Sequence, residues 1–413
     1  MGIRMNNITR RQLLTLPSLS ALSLLSGSVS KTATKAPESP FLKEYGFWDY
    51  TTPGAGGMEA FQKGDYVALL DDMAQAGMNS LMIFVKWLTT GYRSRLEFLD
   101  QTPGNVNIAS DNQMVRFVID EARRRKIKVW LGAVATYYDV ERFRSKPYRV
   151  LTRMSGFSLP FQVGIFDTDN PEVANRAVQM FEEIVEQFPG ISGLCVELEG
   201  AGVEVEQRIP LYEAWAKEKG RPPFAQLGHP FDPRTFDVAP WRDYTTYSRL
   251  KLLRSIEAAV RTKGFHGEMA MICETGRKTY MAGQEVDLKE YHAQFPDWAG
   301  VTYEYEKWDH RYAMMDFCLD QPKRSGLKVF YLPRGVMTWG MPWPLPISLE
   351  QSWTYDTEDI LQFKPDGVWW FGCGTVNEGA HVSLKRLQQV GFGDPVSARR
   401  ALLNKTQRLT GSA

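Results

Sequence analysis

The feature that most constrains this chain is a repeated alternation of eight short apolar runs with stretches of helical spacing between Gly46 and Leu409. The apolar runs are Gly46–Tyr50, Ser80–Trp87, Lys128–Tyr137, Gly193–Gly200, Glu268–Glu274, a run opening at Val301, Leu327–Leu332 and Gly367–Gly372. Each is too continuous for a half-exposed strand and reads as one buried on both faces. Between them, Asp65 to Ala76 carries Val67, Leu70 and Met73 at helical spacing and stops at Gly77. Ser110 with Gln113, and Ser348 with Gln351, make capping pairs that open helices through Arg125 and to Phe363. Asn170-Pro171 opens a helix through Gln187, and further helical patterns cover Asp243 to Thr262, Tyr312 to Leu319, Leu384 to Val390 and Pro395 to Leu409. The segment Ala201 to Pro240, rich in Pro, Gly and charge, reads as an excursion over one end of the sheet. Alternating strands and helices demand a parallel sheet, and eight units close an α/β, single-domain (β/α)8 TIM barrel over residues 41–413. A doubly wound open sheet is the alternative, but no G-x-G-x-x-G turn follows the first strand.

Ahead of the barrel, residues 1–30 combine Arg4, the pair Arg10-Arg11, a mild apolar run through Leu25 and the small residues Ser28 and Ser30. That order reads as an export signal of twin-arginine type, with a simple Sec signal as the alternative, followed by a Ser/Thr/Lys/Pro linker over 31–40. The expected location is periplasmic or secreted. No later stretch reaches the ~18 apolar residues of a membrane span, so none is expected in the mature protein. The 49 basic and 48 acidic residues leave a net charge of +1, which gives no field to recruit nucleic acid. Three of the four cysteines, Cys195, Cys273 and Cys373, fall in or beside predicted strands, where a thiol serves as a small hydrophobe, and no disulfide framework is expected. Nothing in the pattern sets an oligomeric state.

Chemistry-bearing residues collect at the predicted strand ends. In the fourth run, Gly-Leu-Cys-Val-Glu-Leu-Glu-Gly, alternation puts Cys195, Glu197 and Glu199 on one face and Leu194, Val196 and Leu198 on the other. The sixth repeats the design, with Thr302, Glu304 and Glu306 on one face and Val301, Tyr303 and Tyr305 on the other. Glu274 closes the fifth run, Asp49 and Lys86 lie near the ends of the first two, and Asp309 and Arg334 end the sixth and seventh. Trp87, Trp308, Trp339 and Trp369 stand close by. Carboxylates beside aromatic faces suit glycosidic bond cleavage, which needs one protonated and one ionised carboxyl group flanking the bond. Crowded, buried glutamates raise one another's pKa and so supply the protonated member. Glu199 is expected as the acid and Glu306 as its partner, with Glu197, Glu304 and Glu274 as alternates or as residues that tune the pair. Asp49, Lys86, Trp87, Trp308, Asp309, Arg334, Trp339 and Trp369 are expected to bind the sugar. Lys86 serves equally as a salt-bridge partner, Arg334 as a neutraliser of the glutamates, and each Trp as core.

The five histidines, His229, His266, His292, His310 and His381, form no H-x-H or H-E-x-x-H pair, so neither a metal nor a cofactor is expected. No G-x-S-x-G elbow and no P-loop occurs. Over the whole barrel the chain resembles the secreted (β/α)8 glycoside hydrolases, in which the fourth strand often ends in the acid/base glutamate. Glu199-Gly200, Asp65-Tyr66-x-x-Leu69-Leu70 and Gly77-Met78-Asn79 are similar to α-glucuronidases, whose acid glutamate precedes a glycine. The chain departs from the commonest retaining group, because its seventh strand ends Tyr331-Leu332-Pro333-Arg334 without a carboxylate, which moves the expected partner to the sixth. A carbohydrate-binding barrel without turnover is the alternative function.

Overall fold

The computed structural model describes residues 42–50, 63–87, 90–96, 112–134, 137–139, 150–154, 163–166, 169–198, 205–228, 237–273, 286–303, 319–336, 348–372, 387–388 and 390–410. Eight parallel strands form its centre: β1 (Glu44–Tyr50), β2 (Ser80–Trp87), β3 (Lys128–Val134), β4 (Gly193–Glu197), β5 (Glu268–Ile272), β6 (Ala299–Tyr303), β7 (Lys328–Leu332) and β8 (Gly367–Phe371). Each pairs with its sequence neighbours, and β1 also pairs with β8, so Phe47 is in register with Leu81 on one side and Trp370 on the other. The sheet therefore closes into the expected (β/α)8 barrel. Around it run α1 (Lys63–Gln75), α2 (Asn112–Arg124), α3 (Pro171–Gln187), α4 (Val205–Lys219), α5 (Val238–Thr262), α6 (Leu288–Gln294), α7 (Gln321–Arg324), α8 (Leu349–Phe363) and α9 (Pro395–Thr406).

Local chemistry sets several boundaries. Gly77 takes a left-handed φ of 72° just past α1, and Met78 N–H returns to the Met73 carbonyl at 2.9 Å. The Asn170 side chain accepts from Glu172 N–H ahead of Pro171, and Ser348 and Gln351 complete a reciprocal capping box. Ser110, and residues 312–318 of another expected helix, lie outside the described residues. Three details differ from the sequence reading. α4 occupies part of the segment expected as an irregular excursion, and it carries Pro210 inside it. β3 stops at Val134, and Tyr137 belongs instead to a small antiparallel sheet of Tyr137–Asp139, Val163–Phe166 and Val150–Met154. The short α6, capped by Asp287, has no counterpart in the sequence reading.

The barrel interior is filled by an aromatic plug. Trp369 packs 5.2 Å from Trp130 and 5.0 Å from Phe330, and Trp48 stacks on Phe84 at 5.2 Å. Trp48, Trp130 and Trp369 are wholly buried. Small residues make room: a Cβ on Gly193 would fall 2.3 Å from the Trp130 ring, and one on Gly132 2.1 Å from Met82 Cε. Beneath the plug, at the strand starts, Lys128 bonds the buried Glu44 carboxylate and lies 3.6 Å from Glu268. Burial pushes the Glu44 carboxyl up, against the opposing pull of Lys128 and Ser80. Outside the barrel, Arg399 of α9 grips Asp72 of α1 at 2.6 and 2.9 Å, and Tyr45 O–H donates to Thr406 at 2.8 Å, so the last helix is fastened to the first unit.

Candidate active site

The strands' carboxyl ends form one rim, and register decides which side chains turn into it, because residues paired across neighbouring parallel strands share a face. Glu197, the last residue of β4, pairs with Val134, a member of the interior cluster that also contains Cys195. Leu194, Val196 and Leu198 belong to the outer core. Glu197 thus faces inward from the top of β4, as alternation predicts, and is 1% exposed. Cys195 is wholly buried packing in that interior cluster, and burial, with the Glu197 carboxylate and Cys273 adding to it, pushes its thiol well up.

Arg334 bridges to Phe371, another interior residue, two positions beyond the interior Leu332. The bridge is held by Phe371 N–H to the Pro333 carbonyl at 2.8 Å and Gly335 N–H to the Phe371 carbonyl at 2.9 Å. The Arg334 side chain therefore projects inward from just past the end of β7, and the residue is 4% exposed. A buried carboxyl group at the end of β4 and a buried guanidinium just past the end of β7 thus both lie on the inward face. Buried charges of this kind are costly to desolvate, and they cluster where a site needs fixed electrostatics.

Other expected site residues are placed elsewhere. Lys86 follows an irregularity in the β2–β3 register: Phe84 pairs with Gly132 but Lys86 with Ala133, which is in the outer core. The bulge turns Lys86 outward, where Nζ lies 3.4 Å from the Tyr92 carbonyl and 5.2 Å from its ring centre. That position is under the loop after β2, packed against Tyr92. Trp369, expected as a platform, is at the third position of β8 inside the plug, with its N–H on Ser80 at 2.8 Å. It is too deep to stack on a substrate. Thr302 pairs with Tyr331 of the outer core, so the face of β6 that it shares by alternation looks toward the helices within the strand. Asp49 and Trp87 are placed by backbone alone, opposite Ile83 and Thr90. Glu199, Glu274, Glu304, Glu306, Trp308, Asp309 and Trp339 lie outside the described residues.

Two carboxylate clusters outside the strands escaped the sequence reading. Asp169, at the entry to α3, accepts from Tyr244 O–H at 2.7 Å and Arg208 Nε at 3.0 Å, and also from Ser248. Glu183 of α3 accepts from Tyr92 O–H at 2.9 Å, Arg95 N–H at 2.6 Å and Ser94. These tie α4 and α5, and the loop after β2, to α3. Only Asp169, immediately before the Asn170-Pro171 cap, carried any signal in sequence. Among the described residues, no group of three or more His, Cys, Asp or Glu stands together as a metal site. No described helix is long and apolar enough to cross a membrane.

No family model matches the chain, and no curated protein matches it. Solved structures do. The fold is similar to a β-galactosidase from the psychrophilic Marinomonas ef1, with a TM-score of 0.57 at 14% identity over 88% of this chain and 59% of that one. It is also similar to a β-N-acetylhexosaminidase, with a TM-score of 0.54 at 12% identity over 89% and 72%. The PgaB (BpsB) glycoside hydrolase domain from Bordetella bronchiseptica gives a TM-score of 0.55 at 10% identity over 84% and 98%. The chain is thus a (β/α)8 barrel of the architecture found in glycoside hydrolases, and at these identities the likeness is one of fold. It spans less than two thirds of the length of the Marinomonas β-galactosidase.

Proposed function

We propose that the protein is an exported glycoside hydrolase, acting on a carbohydrate at the carboxyl-terminal rim of the barrel. The observation that carries this reading is Glu197, a buried carboxylate aimed inward from the end of β4 in a barrel whose solved neighbours include glycoside hydrolases. Because Glu197 faces inward, Glu199, two residues on, is the next position in the same alternation and is proposed as the general acid. Glu306 is proposed as its partner, with Glu304 and Glu274 as the other carboxylates of the site. By alternation Glu274 continues the inward face of Ala270 and Ile272, whereas Glu304 and Glu306, which share the outward face of Thr302, reach the rim only where the chain past Tyr303 leaves the strand's alternation. Arg334 supplies a fixed positive charge that favours the ionised member of the pair. The test is a screen of purified mature protein against chromogenic glycosides. Hydrolysis of at least one glycoside is expected, with Glu199→Gln slowing the corresponding natural glycoside far more than the activated chromogenic one. Tight sugar binding without turnover on any substrate would instead establish a carbohydrate-binding barrel.

A further inference from the structure

Away from the barrel mouth, a cavity of about 780 Å³ opens between α4, α5 and α6, and all its lining comes from these helices and the Gly220, Arg221 and Asp287 positions at their ends. Among the described residues, no barrel strand contributes to it. Its size falls within the ~300–1,000 Å³ of small-molecule sites. Tyr247 stands in it at 36% exposure, the one large hydrophobic side chain among the described residues that is exposed. Behind it the Trp215 ring lies 6.4 Å away, tilted by 37°, as the edge of an aromatic cluster with Tyr212, Trp241 and Tyr244. Trp215 backs the Tyr247 ring, and Lys219 Nζ stands 5.8 Å from the ring centre, so a ligand stacking on that face displaces only the end of one long, solvent-exposed side chain.

The rest of the lining is charged yet balanced: Lys219, Arg221 and Lys289 against Asp243, Asp287 and Glu290. Arg221 and Asp243 form a 2.7 Å pair whose side chains remain 49% and 33% exposed. A guanidinium beside a carboxylate presents donors and acceptors side by side, which matches adjacent hydroxyl groups. An anionic ligand would meet as much repulsion as attraction here. A planar apolar face beside paired donors and acceptors, with no net charge, fits a molecule with one C–H face and a rim of hydroxyls.

We propose that this cavity is a second saccharide site, which holds an uncharged segment of the polymer while the barrel mouth acts elsewhere on the chain. The choice of a saccharide rests on the proposed glycoside hydrolase function. Native electrophoresis of the full mature protein, in gels cast with soluble starch, xylan, mixed-linkage β-glucan or polygalacturonate, tests it. Retardation by at least one neutral polysaccharide is expected. Tyr247→Ala should weaken it by roughly 3- to 10-fold, the contribution of one aromatic platform, while Tyr247→Trp should retain it. Hydrolysis of small chromogenic glycosides should be unchanged in both variants, and a far-ultraviolet melt should show both folded. Equal retardation of wild type and Tyr247→Ala, absence of retardation by every neutral polymer, or preference for polygalacturonate would each overturn the proposal. If no glycoside is hydrolysed yet Tyr247→Ala loses retention, the glycoside hydrolase reading fails and the saccharide site stands.

Discussion

The Trp369 indole N–H donates to the Ser80 hydroxyl at 2.8 Å, linking β8 to the first residue of β2 across the intervening β1. This bond makes Trp369 a structural strut of the barrel floor. Trp369→Ala should lower stability by about 3–5 kcal/mol, the usual cost of emptying a large aromatic site. Trp369→Phe should cost less, about 1–3 kcal/mol, mainly through the lost bond to Ser80. Urea unfolding measures both. A stable Trp369→Ala protein with weakened sugar binding would return this residue to the site.

The proposed acid and its partner separate by leaving group. Protonating the departing oxygen matters most when that oxygen leaves poorly, so Glu199→Gln should slow natural glycosides by roughly 100- to 10,000-fold. Aryl glycosides with an acidic phenol should suffer far less. Glu306→Gln should slow both classes alike, because attack on the sugar is needed whatever leaves. The reverse pattern would exchange the two roles, and unaffected rates in both variants would place the pair on other residues.

Acid stability should depend on Asp169. Burial pushes its carboxyl up, but Arg208, Ser248 and Tyr244 outweigh burial and hold it below its ordinary value of 3.8. Unfolding then takes up protons, so the stabilisation is full above the ordinary value and drains as pH falls through the depressed one. Glu183 has the same sign, because bonds from Ser94, the Arg95 backbone and Tyr92 overcome its burial. Glu44 has the opposite sign: its raised carboxyl favours the folded state as it protonates. Asp169→Asn removes the partner of the buried Arg208 and should cost about 3–5 kcal/mol at neutral pH. Its stability should also fall less steeply below about pH 4 than that of the wild type. Parallel stability curves for the two proteins would show that Asp169 is not the titrating group.

Export is testable at the amino terminus. Replacing Arg10 and Arg11 with lysine should leave the precursor in the cytoplasm, as fractionation of expressing cells would show. Undiminished export would point to a Sec signal.

Much of the architecture was legible because its causes are local. Alternation along Leu194, Cys195, Val196, Glu197 and Leu198 put Glu197 on the interior face, and the Ser348–Gln351 box opened α8 where expected. Lys86 was misplaced because one bulge after Phe84 breaks the period of two, and no residue type marks that break. The depth of Trp369 was hidden for another reason. A strand's composition does not say how far each position stands above the floor, and that height separates a platform from a plug. α6 offers only Tyr291 as a buried residue, too little periodicity to detect, and Pro210 with its charged neighbours disguised α4.

The Lys128 contacts to Glu44 and Glu268, capped from above by Trp48, Trp130 and Trp369, give the barrel a sealed base. In the hydrolase proposed above, substrate, water and both products would share the opening at the opposite, carboxyl-terminal end, and the order of departure there would govern turnover. Changes in the loops around that opening can alter what enters without disturbing the base that holds the fold together.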